Sequence, residues 1–90
     1  MPTAHLLIKG RVQGVYYRAS AKDKAIQLSL TGWVKNTAAG DVEAVVTGPE
    51  TAIQSFIAWC RQGPPAAEVE DVKVNPMPET AFEEFFILRR

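Results

Sequence analysis

The sequence predicts an α+β fold in which two helices cover one face of a β-sheet, and three observations favour it. The chain has 90 residues, a length that suits a single domain with one core, here residues 1–90. A hydrophobic fraction of 47% with 22% charged residues is ordinary for a compact fold. Apolar positions also switch between a two-residue and a helical period along the chain.

The first strand is predicted over residues 5–12, where most apolar side chains alternate with polar ones. Beyond it the apolar positions follow a helical stripe made of Tyr17, Ala21, Ala25 and Leu28. A first helix therefore follows a short loop, and Gly32 is expected to end the helical region.

A hairpin is predicted next. Thr31 to Lys35 reads as a second strand, and Val42 to Thr47 as a third. The segment Asn36 to Asp41 between them has the composition of a turn between antiparallel strands.

A second helix is predicted from Gly48-Pro49-Glu50, because proline suits the first helical position and an acid there complements the helix dipole. Gly63-Pro64-Pro65 should end it. Its apolar stripe has the spacing i, i+3, i+4, i+7 and consists of Ile53, Phe56, Ile57 and Cys60.

Two more strands complete the pattern. The fourth contains Val69, Val72 and Val74 and should stop before Pro76, and the fifth should run from Phe82 to Leu88. The order β-α-β-β-α-β plus a final strand resembles the ferredoxin-like split βαβ sandwich, an antiparallel sheet with two helices on one face. Because this architecture serves many functions, the function has to be argued from a site.

Charge and cysteine content limit the function classes. The formal net charge is +0 and the pI about 6.6, which disfavours nucleic acid as a partner. The single Cys60 cannot form an intrachain disulfide and has no clustered metal-ligand companions, so we expect neither a metal nor another cofactor. No signal peptide or membrane span is recognisable, so we expect a soluble, cytoplasmic monomer that does not bind membranes.

The loop between the first strand and the first helix carries the main functional signal. Gly14 can adopt a positive φ and let consecutive amides converge on an anion at the helix N-terminus. Arg18 in the first helical turn opposes the helix dipole by a few tenths to about 1 kcal/mol, a cost that a bound anion would reverse. The alternative reading is a turn glycine followed by a solvated arginine.

A second segment, Gly32-Trp33-Val34-Lys35-Asn36, ends a strand with a carboxamide. Taken alone, an asparagine at this position is more often a turn residue than a functional one. Together, however, this segment and Gly10-Arg11-Val12-Gln13-Gly14-Val15-Tyr16-Tyr17-Arg18 resemble the two signature motifs of the acylphosphatase family. The resemblance covers nearly the whole chain, with Tyr17 where phenylalanine is common and Ala39-Gly40 where Asp-Gly is common.

The resemblance implies hydrolysis of a carboxyl-phosphate anhydride to carboxylate and phosphate, without metal or covalent intermediate. Arg18 would pair with the phosphoryl oxygens and Asn36 would hold the attacking water. Phosphate or sulfate should bind at the same place as an inhibitor. The substrate-binding residues that the resemblance implies are Gln13, Gly14, Val15, Tyr16, Tyr17 and Arg18.

Other chemically capable residues receive structural readings. His5 should be structural or at the surface, and Cys60 should be a small buried hydrophobe. Core positions account for Trp33 and Trp59, and Glu83-Glu84 reads as solvated surface. Lys9 and Arg11 should point outward from the first strand and be exposed.

Two other functions compete with the enzyme. One is an acylphosphatase-like binding module of the type that begins larger carbamoyl-transferring enzymes. The other is an RNA-recognition domain of similar fold, which would need exposed aromatic side chains in basic surroundings. The third strand has no aromatic residue, which disfavours the second alternative.

Overall fold

A computed structural model describes residues 1–89 and contains two helices and five strands. In chain order they are β1 (Thr3–Arg11), α1 (Tyr17–Gln27), β2 (Thr31–Asn36), β3 (Val42–Thr47), α2 (Glu50–Gln62), β4 (Glu68–Met77) and β5 (Phe85–Ile87). The strands form one sheet in the order β4-β1-β3-β2-β5. The predicted ferredoxin-like α+β fold is confirmed.

The sheet is mixed rather than wholly antiparallel. The pairs β1–β3, β1–β4 and β2–β3 are antiparallel as predicted, whereas β5 runs parallel to β2, with Gly32 opposite Phe85. The chain leaves β4 at one edge of the sheet and returns at the other edge, beside β2. The alternation of apolar residues in a strand carries no information about its direction, so this pairing was not predictable from the pattern.

The core lies between the helices and one face of the sheet. The predicted stripes are buried, with Leu28 only partly covered. Trp59 packs against the core as predicted, but Trp33 does not. Gly32 and Val34 take the inward positions of β2, which places the half-buried Trp33 on the opposite face, where Lys35 Nζ lies 5.8 Å from the ring centre.

The first helix ends earlier than predicted, and Gly32 is not its terminator. Ser29 adopts a left-handed φ of 59°. Its N–H donates to Ile26 O at 3.0 Å, and the N–H of Leu30 donates to Ala25 O at 2.9 Å, the bond pair of a Schellman motif. Gly32 instead lies within β2, where a Cβ atom would stand 1.9 Å from Val45 O.

Three further boundaries differ from expectation. Pro49 precedes α2 as its N-cap instead of occupying its first turn, and its carbonyl accepts the Ile53 N–H at 3.0 Å. Strand β4 continues through Pro76, which an edge strand tolerates because one side of its backbone needs no donor. Strand β5 is shorter than predicted and spans only Phe85–Ile87, although Glu84 O just before it accepts the Gly32 N–H at 3.0 Å.

Candidate active site

The loop from Val12 to Tyr16 joins β1 to α1 and has an unusual backbone. Gly14 has the predicted positive φ, 74°, and Tyr16 has a φ of 62°, whereas Val15 between them does not have a positive φ. Anion-binding nests form where left- and right-handed residues alternate and successive N–H groups turn toward one side, and the positive φ values on either side of Val15 fit this arrangement. For a tyrosine, the left-handed conformation costs about 1–2 kcal/mol.

The N-terminus of α1 is left without the usual caps. Tyr16 at the N-cap position makes no side-chain capping bond, and the first turn holds no acidic residue. Within residues 1–89, no group accepts a hydrogen bond from the amides of residues 14–19. These N–H groups are therefore available to an external acceptor, and the positive end of the helix dipole favours an anion there.

Arg18 and Asn36 line the same cavity as this loop. The cavity has a volume of about 360 Å³, and its wall includes Gly14, Tyr16, Arg18 and Asn36. An adjoining cavity of about 400 Å³ again has Arg18 and Asn36 in its wall. In the described part of the chain, no carboxylate lies within 4.0 Å of the Arg18 guanidinium, so its positive charge is not neutralised by an ion pair.

Asn36 is the last residue of β2, and its side chain is incompletely satisfied. The Oδ1 atom is buried, and no described residue donates a hydrogen bond to it. An unpaired buried acceptor costs about 1–3 kcal/mol, so one that persists calls for an explanation. A hydrogen-bond donor that enters the site with the substrate would provide that explanation.

Three predicted substrate-binding residues use their side chains elsewhere in the protein, although Tyr17 also belongs to the cavity wall. Gln13 Nε2 donates to Thr37 O at 2.9 Å and to Asp41 O at 2.8 Å, both in the β2–β3 turn. Val15 is 8% exposed and belongs to the core, as does the ring of Tyr17. Val15 and Tyr17 can serve an anion only through their backbone amides.

Arg89 is a member of the site that sequence reasoning missed. It lines both cavities together with Arg18 and Asn36. Because β5 runs parallel to β2, both strands end at the same end of the sheet, and the residues that follow β5 lie near Asn36, the last residue of β2. Prediction of Arg89 as a site residue would have required the direction of β5, which the sequence pattern does not reveal.

The other candidate residues have structural environments. His5 Nε2 lies 2.6 Å from Glu43 Oε2 on the open face of the sheet. Lys9 is half-buried and bonds Asp41 Oδ2 at 2.9 Å, so its predicted exposure is wrong, while Arg11 and Glu83-Glu84 are exposed as predicted. Cys60 is buried as predicted, and burial raises the pKa of its thiol to about 12.

Other features of residues 1–89 offer no competing site. No group of three or more His, Cys, Asp or Glu side chains is arranged to hold a metal ion. Neither helix of this described range is long and apolar enough to cross a membrane. A cavity of about 530 Å³ lies near Thr31, at the other end of β2 from Asn36, and the Thr31, Thr47 and Thr80 hydroxyls beside it are bonded within the protein.

The fold and this cavity define a small α+β domain whose first loop presents unpaired amides at a helix N-terminus, and comparison with known proteins identifies its family. The acylphosphatase family model matches residues 4–87. An acylphosphatase of Methylococcus capsulatus is 50% identical over 99% of this chain and 98% of its own length. The crystal structure of a Bacillus subtilis acylphosphatase superposes with a TM-score of 0.96 at 36% identity, covering 99% of this chain and all of that one.

The chain therefore belongs to the acylphosphatase family, whose members hydrolyse acyl phosphates. It is a hydrolase of this class. The same domain occurs within a larger protein: HypF of T. kodakarensis superposes with a TM-score of 0.84 at 32% identity, and the match covers all of this chain but 12% of that one.

Proposed function

We propose that the loop Gln13–Arg18 and Asn36 form the active site for acyl phosphate hydrolysis. The observation that carries this proposal is the backbone alternation at Gly14 and Tyr16, which leaves unpaired amides beside Arg18 in a cavity that Asn36 also lines. The substrate is a small acyl phosphate, bound by its phosphoryl group.

The loop amides and Arg18 bind the phosphoryl oxygens. The amides of residues 14–18 donate to these oxygens, and the planar guanidinium of Arg18 adds two parallel charge-assisted bonds. Water attacks phosphorus, the bond from phosphorus to the carboxylate oxygen breaks, and its electron pair leaves with the carboxylate. Because a carboxylate is already a good leaving group, positioning and charge stabilisation are the main requirements, and no side chain has to act as nucleophile.

Asn36 orients the attacking water. Asn36 lines the cavity that Arg18 also lines, and its buried Oδ1 has no partner among the described residues. The amide oxygen accepts a hydrogen bond from the water and thereby fixes the direction in which the lone pair of the water oxygen points. Removal of one positioned polar group in an active site costs on the order of 10²-fold or more in kcat.

The remaining properties follow from composition and from the site. We propose a reaction that needs no metal, inhibition by phosphate or sulfate at the loop, and a cytoplasmic monomer that binds neither nucleic acid nor membranes. The net charge of +0 supports the absence of nucleic acid binding.

Phosphate release from benzoyl phosphate in buffer containing a chelator tests the proposal. We expect full activity, competitive inhibition by inorganic phosphate, and near-complete loss in Arg18→Lys, because lysine keeps the charge but lacks the planar fork. Asn36→Ala should lower kcat with little change in the phosphate inhibition constant. Arg61→Lys, on the exposed surface of α2, is the matched control and should behave like the wild type.

Three results would contradict the proposal. Activity lost to chelator and restored by a divalent metal would refute the metal-free mechanism. Non-competitive inhibition by phosphate would indicate that the loop that binds phosphate is not the site that binds the substrate. Phosphate binding without turnover would indicate the binding-module alternative.

A further inference from the structure

Gln13 joins the anion loop to a distant turn. Its single Nε2 atom donates to two main-chain oxygens, Thr37 O at 2.9 Å and Asp41 O at 2.8 Å. Both hydrogens of the carboxamide nitrogen are thereby used. Gln13 is partly buried and is not in the wall of the cavity that holds Arg18 and Asn36.

The turn that receives Gln13 is itself closed by backbone bonds. Thr37 N–H donates to Asp41 O at 2.9 Å, and Gly40 N–H donates to Thr37 O at 3.2 Å. Each of the two carbonyls therefore accepts one bond from the turn and one from Gln13. The carboxamide of Gln13 completes the hydrogen bonding of the turn.

Gln13 also connects the two halves of the proposed site. Gly14, the first nest residue, directly follows Gln13, and Thr37 directly follows Asn36. Among the described residues, no hydrogen bond holds Asn36 Oδ1 in place, so the carboxamide depends on its backbone and on the packing around it for its position. Gln13 thus adds a direct link between the nest and Asn36 to the pairing of Asn36 with Val42 in the sheet.

We infer that Gln13 is a positioning residue, which holds Asn36 at the correct distance from the phosphate nest without touching the substrate. This inference rests on the proposed function of the loop and Asn36. A shift of about 1 Å between reacting groups can cost on the order of 10²-fold in rate. Loss of the two bonds should therefore lower kcat more than it weakens phosphate binding.

Gln13→Met is the first test, because methionine has similar length and no donor. We expect kcat for benzoyl phosphate to fall about 10- to 100-fold, while the inhibition constant of inorganic phosphate changes less than about threefold. Gln54→Met is the matched control, because Gln54 also donates from Nε2, to Glu50 on the exposed side of α2, and lies outside the site. This control should leave both constants unchanged.

Gln13→Glu provides a second test, the pH dependence of kcat, which would not change if the role of Gln13 were purely structural. This variant also replaces the methionine variant if the latter does not fold. Two carbonyl oxygens facing the new carboxyl group raise its pKa, and only its protonated form can donate to one of them. We expect kcat of this variant to rise as the pH falls through that pKa. The ratio of variant to wild-type kcat isolates the effect from other titrating groups.

A double-mutant cycle separates this inference from the proposed function. In the Asn36→Ala background, Gln13→Met should have little further effect on kcat, because Asn36 is then no longer there to be positioned. If Asn36→Ala itself leaves kcat normal, the proposed function fails. If Asn36→Ala lowers kcat but Gln13→Met does not, or if the two effects are independent, the inference about Gln13 alone is overturned. A phosphate inhibition constant that rises with KM at constant kcat would also overturn it, by placing Gln13 on the phosphate.

Discussion

Replacement of Tyr17 by phenylalanine should destabilise the protein through one unsatisfied carbonyl at the end of α2. An α-helical carbonyl normally accepts from the N–H four residues later, and for Cys60 that residue is Pro64, which has no N–H. The Tyr17 hydroxyl takes this place and donates to Cys60 O at 2.7 Å. The bond is buried, so water cannot replace it without rearrangement.

The magnitude follows from this burial. Tyr17→Phe keeps the ring, which packs 5.4 Å from the Trp59 ring between centroids, and removes only the hydroxyl. A buried acceptor left without a partner costs about 1–3 kcal/mol. For a domain of this size, about 2 kcal/mol corresponds to a fall in Tm of roughly 8–16 °C.

Burial raises the pKa of the Tyr17 hydroxyl far above its ordinary value of 10.0, so the folded protein keeps the donor protonated. The unfolded chain still ionises near pH 10. A raised folded pKa gives stability that is fully present below pH 10 and declines above it. The difference between wild type and variant should therefore be constant from about pH 5 to 9 and shrink at higher pH.

Urea denaturation followed by tryptophan fluorescence at pH 7 and at pH 10.5 measures this difference. Tyr16→Phe is the control, because its ring is 84% exposed and its hydroxyl makes no bond to a described residue. It should change the free energy of unfolding by less than about 0.5 kcal/mol. Equal stability of wild type and Tyr17→Phe at pH 7 would refute the assignment of the hydroxyl as the missing helical donor.

Three further outcomes follow from the structure. Ser29→Gly should stabilise the protein by up to about 1 kcal/mol, since Ser29 sits in the left-handed region at the C-terminus of α1; a lowered Tm would contradict this. Arg18→Gln should leave Tm equal or slightly raised without ligand, because the cation opposes the helix dipole and lacks an ion pair in residues 1–89; a large fall would favour a structural role. Between pH 9.0 and 12, Cys60 ionises in the unfolded chain but not in the folded protein, which should lower the free energy of unfolding by about 1.4 kcal/mol per pH unit. Cys60→Val should remove this slope up to pH 10, and equilibrium unfolding at several pH values measures it.

Features set by neighbouring residues in the sequence were predicted well. The apolar stripe of α2 is buried as expected, because its spacing depends on helix geometry alone. Gly14 has the expected positive φ, because the loop needs it locally. The resemblance to a family rested on two motifs of this local kind, and the comparisons confirm it.

Features set by residues far apart in the sequence were not predicted. The direction of β5 depends on the path of the chain around the sheet, and the inclusion of Arg89 in the site depends on that direction. Trp33 was predicted to be in the core because of its size. It lies on the opposite face of the sheet, because side chains alternate along β2 and its neighbours Gly32 and Val34 face the core. The two bonds of Gln13 span 24 and 28 residues, and no periodicity in the sequence reports them.

The deviations from local rules also support the proposed site by where they occur. Tyr16 holds a left-handed conformation, Arg18 places a cation in the first turn of a helix, and Asn36 buries an unpaired oxygen. All three residues line one cavity. The other left-handed residue outside glycine in the described range, Ser29, lies elsewhere and has an ordinary cause, because the hydrogen bonds of a Schellman motif compensate it. Uncompensated departures that gather in one cavity are expected where a ligand supplies the missing partners, and a phosphoryl group has the charge and the acceptor oxygens to supply those of the helix end and Arg18.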